Sequence, residues 1–143
     1  MSDGKQKPPA YVLDEQVGFL LRKATQRHLA IFAARIPSLT PTQFAALAKL
    51  CELGPTSQNA LGRATAMDAA TIKGVVDRLR QKGLVENVEE PADRRRIVLT
   101  PTSGGRAAFG ALLDAAREIT DETLAPLGAE DRRRLCAILQ RIG

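Results

Sequence analysis

The sequence predicts a mainly α-helical fold with one small β-hairpin, on two observations. First, apolar residues recur at the three- and four-residue spacing of an amphipathic helix in six separate segments of the chain. Second, two short β-prone runs flank a turn between the fourth and the fifth of these segments. The expected order is therefore four helices, a hairpin and two further helices.

The chain begins with a polar stretch that contains two prolines, so residues 1–11 are predicted to form a flexible tail. The first helix starts near Asp14 and is closed by Pro37. Its apolar stripe consists of Val17, Leu20, Leu21, Ala24, Ile31 and Phe32. Because the stripe runs along most of the helix, this helix needs a long surface to pack against.

The second helix has a clear start. Thr40 can cap it, Pro41 suits the first helical position, and Gln43 completes a capping box. Gly54-Pro55 is expected to end it. The predicted buried face of this helix consists of Phe44, Leu47, Ala48 and Cys51.

Two shorter helices come next and are joined by a short turn. The third begins at Thr56 or Ser57, and Asp68 caps the fourth. Gly83 ends the fourth helix at a position that favours a left-handed residue. The positions predicted to face inward are Ala60, Leu61 and Ala64 in the third helix and Ile72, Val75, Val76 and Leu79 in the fourth.

Residues 84–89 and 97–101 are the predicted strands, with a turn at 91–94. Two helices follow, separated by a break at Pro126 and Gly128. The predicted buried faces are Phe109, Leu112, Leu113, Ala116, Ile119 and Thr123 in the fifth helix and Leu135, Ile138, Leu139 and Ile142 in the sixth.

Length and composition indicate a single globular domain that carries a net positive charge. The 143 residues include 21 basic and 16 acidic side chains, so the formal net charge is +5. This excess permits binding to a polyanion. No apolar segment approaches the about 20 residues that cross a bilayer, and the start does not resemble a signal peptide. We therefore expect a cytoplasmic protein without a membrane partner.

The residue types argue against an enzyme. There is one histidine, and no phosphate-binding loop, metal-ligand spacing or Ser-His-Asp arrangement is visible. We expect no catalytic residue, no metal and no cofactor. Cys51 and Cys136 lie far apart on apolar helix faces, so both are interpreted as small buried residues rather than redox-sensing thiols.

The third and fourth helices have the order of a helix-turn-helix, in which the second helix enters the major groove of DNA. Small residues at its start would allow close approach. The residues predicted to contact bases or phosphates there are Ala69, Ala70, Thr71, Lys73, Gly74 and Arg78. Further donors are expected from Ser57, Gln58 and Asn59 at the third helix and from Arg94, Arg95 and Arg96 at the hairpin turn. Asp93 is expected to pair with Arg95 and hold the loop.

Each feature alone has another interpretation, since helix-turn-helix shapes occur in proteins that do not bind DNA and arginine runs are commonly solvated. Together, on a basic chain, they favour binding to double-stranded DNA. Single-stranded nucleic acid is disfavoured because four Phe, one Tyr and no Trp leave little for base stacking. An architectural or non-specific DNA-binding protein without an effector remains the alternative.

The helices near both ends are apolar along much of their length, and a second copy is the simplest surface to cover them. We therefore predict a homodimer. The single domain, residues 12–143, would be divided into dimerisation helices at 12–36 and 104–143 and a DNA-binding lobe at 40–102.

The segments DAATIKGVVDRLRQKGLV and DRRRIVLTPTSGG resemble the recognition helix and wing of the MarR family of bacterial transcription regulators. The resemblance implies a winged helix-turn-helix dimer that binds a palindromic operator and is released by a small, often aromatic or phenolic, compound. It places Thr71, Lys73 and Gly74 on the base-reading face and matches Asp93 and Arg95 to an Asp-x-Arg pattern of the wing. Pro101-Thr102 departs from the family's Leu-Thr, so we expect the second strand to end early or to shift register.

In this family, effectors lie between the dimer helices and the DNA-binding lobe. The residues expected there are Arg27, His28, Arg35, Phe44, Phe109 and Leu113. A histidine and arginines in an apolar wall would suit an aromatic carboxylate or a phenol. The alternative is that His28 is a satisfied interface residue and the arginines are solvated.

The stretch QVGFLLRKATQRH is similar to first helices of the branch that controls aromatic-acid breakdown, some of whose members respond to aromatic acyl-CoA thioesters. The expected function is thus a repressor responsive to an aromatic acid, a phenol or an aromatic acyl-CoA.

Overall fold

The computed structural model describes residues 9–143, and the predicted tail lies mostly outside these residues. Within them the chain forms six α-helices and a two-stranded antiparallel hairpin in the predicted order. A short 3-10 turn, Leu13–Glu15, precedes the first helix. The elements are α1 (Val17–Arg35), α2 (Pro41–Leu53), α3 (Gln58–Ala64), α4 (Ala69–Gln81), β1 (Val85–Glu90), β2 (Asp93–Pro101), α5 (Ser103–Thr123) and α6 (Ala129–Ile142).

The start of α2 confirms the predicted capping box. The Thr40 hydroxyl accepts from the Gln43 N–H at 3.2 Å, and the Thr40 N–H donates to Gln43 Oε1 at 3.3 Å. The predicted burial pattern of α2 is partly wrong, because Ala46 and Leu50 are completely buried whereas Phe44 is half-buried. The reason is that α2 packs against α4, β2 and α5. Three neighbouring elements bury a wider face of the helix than a single apolar stripe indicates.

The boundaries of the next two helices also follow local signals. Ser57 caps α3, Asp68 caps α4, and Gly83 adopts a left-handed φ of +73° after α4. All four predicted inward residues of α4 are buried. In α3, Leu61 is buried, but Ala64 is exposed because the helix ends there.

The hairpin corrects two predictions. Strand β2 begins at Asp93, so the three consecutive arginines lie in a strand rather than in the turn. Pro101 neither shortens β2 nor shifts its register, since it pairs with Val85; the irregularity lies near the tip, between Glu89 and Glu90. Leu99, two residues earlier, directs its N–H away from β1 to the Thr56 carbonyl at 2.8 Å. Successive backbone N–H groups of a strand point to opposite sides, so those at positions 99 and 101 point to the same side. The N–H that Pro101 lacks would therefore face away from β1, and no hydrogen bond between the two strands is lost.

The core joins the end of α1, the helix-turn-helix and the base of the hairpin. Its completely enclosed large side chains are Ile36, Leu47, Leu50, Leu61, Ile72, Val76 and Leu79. By contrast, α6 has no buried residue, and α1 has one, Phe32. The expected burial of Cys136 is therefore wrong for the single chain, in which α6 leaves it exposed, whereas Cys51 is half-buried.

The helices of residues 9–143 are all too short or too polar to cross a membrane.

Candidate nucleic-acid interface and ligand cavity

Helix α4 presents a fully exposed face on one side of the lobe. Its first turn is held by Asp68, whose Oδ1 accepts from the Thr71 N–H at 2.7 Å. Hydrogen bonds from Thr71 lower the pKa of Asp68, so this cap is charged at neutral pH. The six residues predicted to contact DNA are all exposed: Ala69, Ala70, Thr71, Lys73, Gly74 and Arg78. A Cβ added to Gly74 would meet no atom within 4 Å, so the centre of this face is open.

A surface groove of 400 Å³ lies between this face and the start of α2. It is lined by Thr40, Thr42, Gln43, Ala70, Thr71, Gly74, Val75 and Arg78. No local pattern along the chain predicts that these α2 residues lie beside the exposed face of α4. Their proximity results from packing of α2 against α4.

The predicted donors at α3 differ in their availability. The Ser57 hydroxyl accepts from the Ala60 N–H at 3.2 Å, so its oxygen already caps α3. Gln58 is half-buried, whereas Asn59 is exposed. Asn59 is thus the most accessible of the three side chains.

The charges of α4 form a network that was not predicted. Asp77 accepts hydrogen bonds from Lys73, at 3.1 Å, and from Arg80. Arg80 also donates to Asn87 Oδ1 on β1 at 2.8 Å. These bonds, that from Lys73 first, lower the pKa of Asp77. The network joins the recognition face to the first strand of the hairpin.

Arg94, Arg95 and Arg96 are exposed in β2 and take part in none of the ion pairs found within residues 9–143. The ladder with β1 is irregular here, since Glu89 pairs with Ile97 and Glu90 with Asp93, and the three arginines lie between these two pairs. The predicted pairing of Asp93 with Arg95 is found, but it is made through the backbone: Asp93 Oδ1 accepts from the Arg95 N–H at 3.1 Å. Asp93 still holds the loop, and the guanidinium of Arg95 is left to other partners.

The hairpin as a whole does not carry the net positive charge that its arginine run indicates. Its strands contain four carboxylates, which are Glu86, Glu89, Glu90 and Asp93, against three arginines. The positive charge is therefore confined to the start of β2. Within the hairpin, the start of β2 is therefore the segment suited to contact a polyanion.

A second cavity, of 260 Å³, lies between α1, the start of α2 and α5. It is lined by His28, Phe32, Pro41, Phe44, Ala116, Ile119 and Thr120. His28 and Phe44 were predicted for such a site. Phe109 and Leu113 do not line it; the Phe109 ring packs behind Phe44 with centroids 5.9 Å apart.

The two arginines predicted for this cavity do not line it and are bound to α5. Arg27 donates to the Thr123 and Glu122 carbonyls at 2.7 and 2.8 Å. Arg35 contacts the carboxylates of Glu118 and Glu122, each at 2.7 Å. The last carbonyls of a helix lack partners inside the helix and carry partial negative charge, which accounts for the position of Arg27. The cavity wall is therefore more apolar than predicted.

An exposed recognition helix held by a helix-turn-helix, with an arginine-bearing hairpin beside it, defines a winged helix-turn-helix DNA-binding protein. The family model described as MarR family matches residues 39–97. The chain is also 42% identical over 134 residues to the HTH-type transcriptional repressor NicR of Pseudomonas putida, covering 92% of this chain and 85% of NicR. The chain belongs to the MarR family and is a DNA-binding transcription regulator, not an enzyme.

Two solved structures support the same fold. A probable transcriptional regulator from Pseudomonas aeruginosa is 50% identical with a TM-score of 0.89, covering 92% of this chain and 100% of that one. BpsR of Bordetella bronchiseptica, whose DNA binding is regulated by 6-hydroxynicotinic acid, is 39% identical with a TM-score of 0.88. The coverage is 93% of this chain and 96% of BpsR.

Proposed function

We propose that this regulator is a repressor that binds a palindromic operator as a homodimer and leaves it when a single-ring aromatic acid or phenol binds. The observation that carries the effector class is the 260 Å³ cavity, which has an aromatic wall and one histidine. This volume lies just below the roughly 300–1,000 Å³ of sites for drug-sized ligands. It suits one substituted ring. The acyl group of an aromatic acyl-CoA would fit only with its CoA portion outside.

His28 is the residue best placed to recognise the polar substituent. Its Nδ1 is bonded to the Thr123 hydroxyl at 2.8 Å, so Nε2 is the ring nitrogen left for a ligand. Thr120 adds a hydroxyl to the same wall. Since Arg27 and Arg35 are engaged by α5, they would act on the ligand only indirectly, by fixing α1 against α5. The ligand that regulates BpsR, a hydroxylated pyridine carboxylate, belongs to this chemical class.

The start of α2 provides a physical route from the cavity to the recognition helix. Pro41 and Phe32 line the effector cavity and also a neighbouring cavity of 530 Å³. That neighbouring cavity reaches Arg78 and Lys82, near the end of α4. Release requires that the ligand bind better to a conformation with misplaced recognition helices. Displacement of the start of α2 would produce such a conformation.

For the operator we propose that Thr71, Lys73 and Gly74 face base edges, and that Arg78, Asn59 and the three wing arginines contact phosphates or the minor groove. Dimerisation through residues 12–36 and 104–143 would place the two DNA-binding lobes, residues 40–102 of each copy, on two half-sites of the operator. The centres of such half-sites are about 34–36 Å apart. Exposed apolar residues support this interface: Val17, Leu20, Leu21, Leu29, Ile138, Leu139 and Ile142. A regulator of this kind acts in the cytoplasm, where the operator is.

The test begins with an operator selected by the wild-type protein from a random duplex library. The wild type should prefer this operator to random duplex by about 10³-fold or more at fixed salt. 6-Hydroxynicotinic acid, 4-hydroxybenzoic acid and phenol are then added separately. At least one should raise the melting temperature and lower operator affinity by about tenfold or more.

The variant His28→Ala should keep operator affinity and lose the response to the ligand. Lys49→Ala, on α2 outside the cavity, is the control and should respond as the wild type does. A response that survives in His28→Ala with unchanged midpoint would contradict the assignment of the cavity. Equal affinity of the wild type for operator and random duplex would instead favour the architectural alternative.

A further inference from the structure

Asp77 places a carboxylate beside the face that we assign to DNA, where it repels phosphates. Its two oxygens are used separately. Oδ2 accepts from Lys73 Nζ at 3.1 Å, and Oδ1 accepts from Arg80. The negative charge of Asp77 is thus shared by one cation toward the start of α4 and one toward its end.

These two cations differ in their freedom to move. The Arg80 side chain is 34% exposed and is also held by Asn87 on β1. The Lys73 side chain is 69% exposed, and Asp77 is its one partner within residues 9–143. Lys73 also carries its charge on a flexible stem with rotatable donors. Of the two, Lys73 is therefore the cation that can exchange Asp77 for an acceptor on DNA.

We infer that Asp77 is a specificity-determining residue, which withholds Lys73 from phosphates so that Lys73 contributes to operator recognition and little to general affinity. The inference rests on the proposed function. On random duplex Lys73 stays paired with Asp77, and the pair adds no net charge to the face. On the operator, a base acceptor in the major groove replaces the Asp77 oxygen. The exchange is feasible because an exposed ion pair contributes little to stability.

Two further features support the exchange. The hydrogen bonds to Asp77 lower its pKa, so the carboxylate is charged whenever the protein meets DNA near neutral pH. The order of the pair, with the lysine four residues before the acid, is the weaker orientation of an ion pair on a helix. Arg80, fixed by the wing strand, keeps Asp77 in place after Lys73 leaves.

The test compares Asp77→Asn with the wild type on the selected operator and on random duplex. The variant should bind random duplex about fivefold more tightly at fixed salt, and the operator less than twofold more tightly. Its specificity ratio should therefore fall. The salt dependence of binding to random duplex should steepen by about one unit if Lys73 gains a phosphate contact.

Asp114→Asn is the matched control, because it makes the same charge change at a side chain on α5 that is 95% exposed. It should leave the specificity ratio unchanged. The effect of Asp77→Asn on the specificity ratio should disappear in a Lys73→Met background, since the two residues are proposed to act as a pair. Lys73→Met alone, a surface change with little risk to folding, should weaken operator binding by a larger factor than binding to random duplex, because it removes a base contact as well as one positive charge.

An equal change on both duplexes in Asp77→Asn, or the same change of the specificity ratio in the Lys73→Met background, would overturn the role of Asp77. Equal loss on both duplexes in Lys73→Met would also overturn it. In each of these cases the wild type still discriminates, so the proposed function stands. A wild type that binds both duplexes equally overturns both proposals, and this is seen before any variant is made.

Discussion

The DNA-binding lobe and the terminal helices differ in where their apolar side chains lie. Of the completely enclosed large side chains, all but Ile36 belong to residues 40–102. Helices α1 and α6 together bury one residue, Phe32, and expose large apolar side chains along their length. The lobe is therefore stabilised mainly from within, whereas the terminal helices have a surface that a second copy would cover.

Because of this difference, the surface assigned to DNA and the cavity proposed for the effector lie in different parts of the molecule. The surface assigned to DNA lies on the internally stabilised lobe, which can present α4 in one fixed orientation. The cavity that we propose for the effector lies at the junction, between α1, α5 and the start of α2. In our proposal, a ligand at that junction would change how the two lobes of the dimer are held relative to each other without unfolding either.

The largest effect is expected at the exposed apolar face of α6. Ile138→Asp places a carboxylate in the proposed dimer interface, twice because of the symmetry. We expect the dimer to dissociate about 1,000-fold more readily, since each unpaired buried charge is strongly unfavourable. Sedimentation should then report the 15.4 kDa monomer. Leu53→Asp is the control, because Leu53 is equally exposed, at 52% against 50%, but lies in the lobe. A dimeric Ile138→Asp variant would contradict the interface.

The connection between the two regions is tested at Gly105, where α5 crosses the start of β1. A Cβ there would lie 1.9 Å from the Leu84 carbonyl oxygen, which is backbone and cannot move aside. Gly105→Ala should lower the free energy of unfolding by about 3 kcal/mol, the upper part of the range for overpacking. The neighbouring Gly104→Ala should not lower it, because the nearest atom is 3.6 Å away and alanine favours a helix more than glycine does. Urea titration measures both, and equal values would show that α5 is not locked against the lobe.

The smallest effect is expected in the turn of the helix-turn-helix. Ala66 has a left-handed φ of +56°, which is unfavourable for any residue with a Cβ. Ala66→Gly should raise the free energy of unfolding by about 0.5 kcal/mol, because the relief of strain exceeds the entropy that glycine adds to the unfolded chain. Ala111→Gly, exposed in the middle of α5, should instead lower it by about 1 kcal/mol. Thermal or urea unfolding distinguishes these opposite signs.

Helix boundaries could be predicted because the interactions that set them are local. The Thr40 capping box, the Asp68 cap and the left-handed Gly83 each depend on residues within four positions along the chain. The buried stripe of α4 was also correct, since a single 3.6-residue period describes a helix that buries one face. Where a helix has several partners, as α2 does, that period underestimates the buried face.

The residues assigned to DNA on α4 were all found exposed, but their electrostatic setting was not foreseen. The sequence shows Lys73 and Asp77 four residues apart. It does not show that Asn87 of β1 holds Arg80 against Asp77, because that contact depends on how the hairpin folds back on α4. The wing arginines were likewise expected in a turn, whereas they lie in β2 between Asp93 and Ile97, where the register with β1 is irregular.

Local order along the chain was thus determined by the sequence, through caps, stripes and a left-handed glycine. The partners of charged side chains such as Arg27 and Arg35 depend on the tertiary structure and could not be predicted from local patterns. Arg27 reaches carbonyls 95 and 96 residues away, and Arg35 reaches carboxylates 83 and 87 residues away. Both arginines were expected to bind a ligand, but these contacts show that they connect α1 to α5 instead. The physical reason is that hydrogen bonds near along the chain are set by backbone geometry, whereas those between distant residues follow from how whole helices pack.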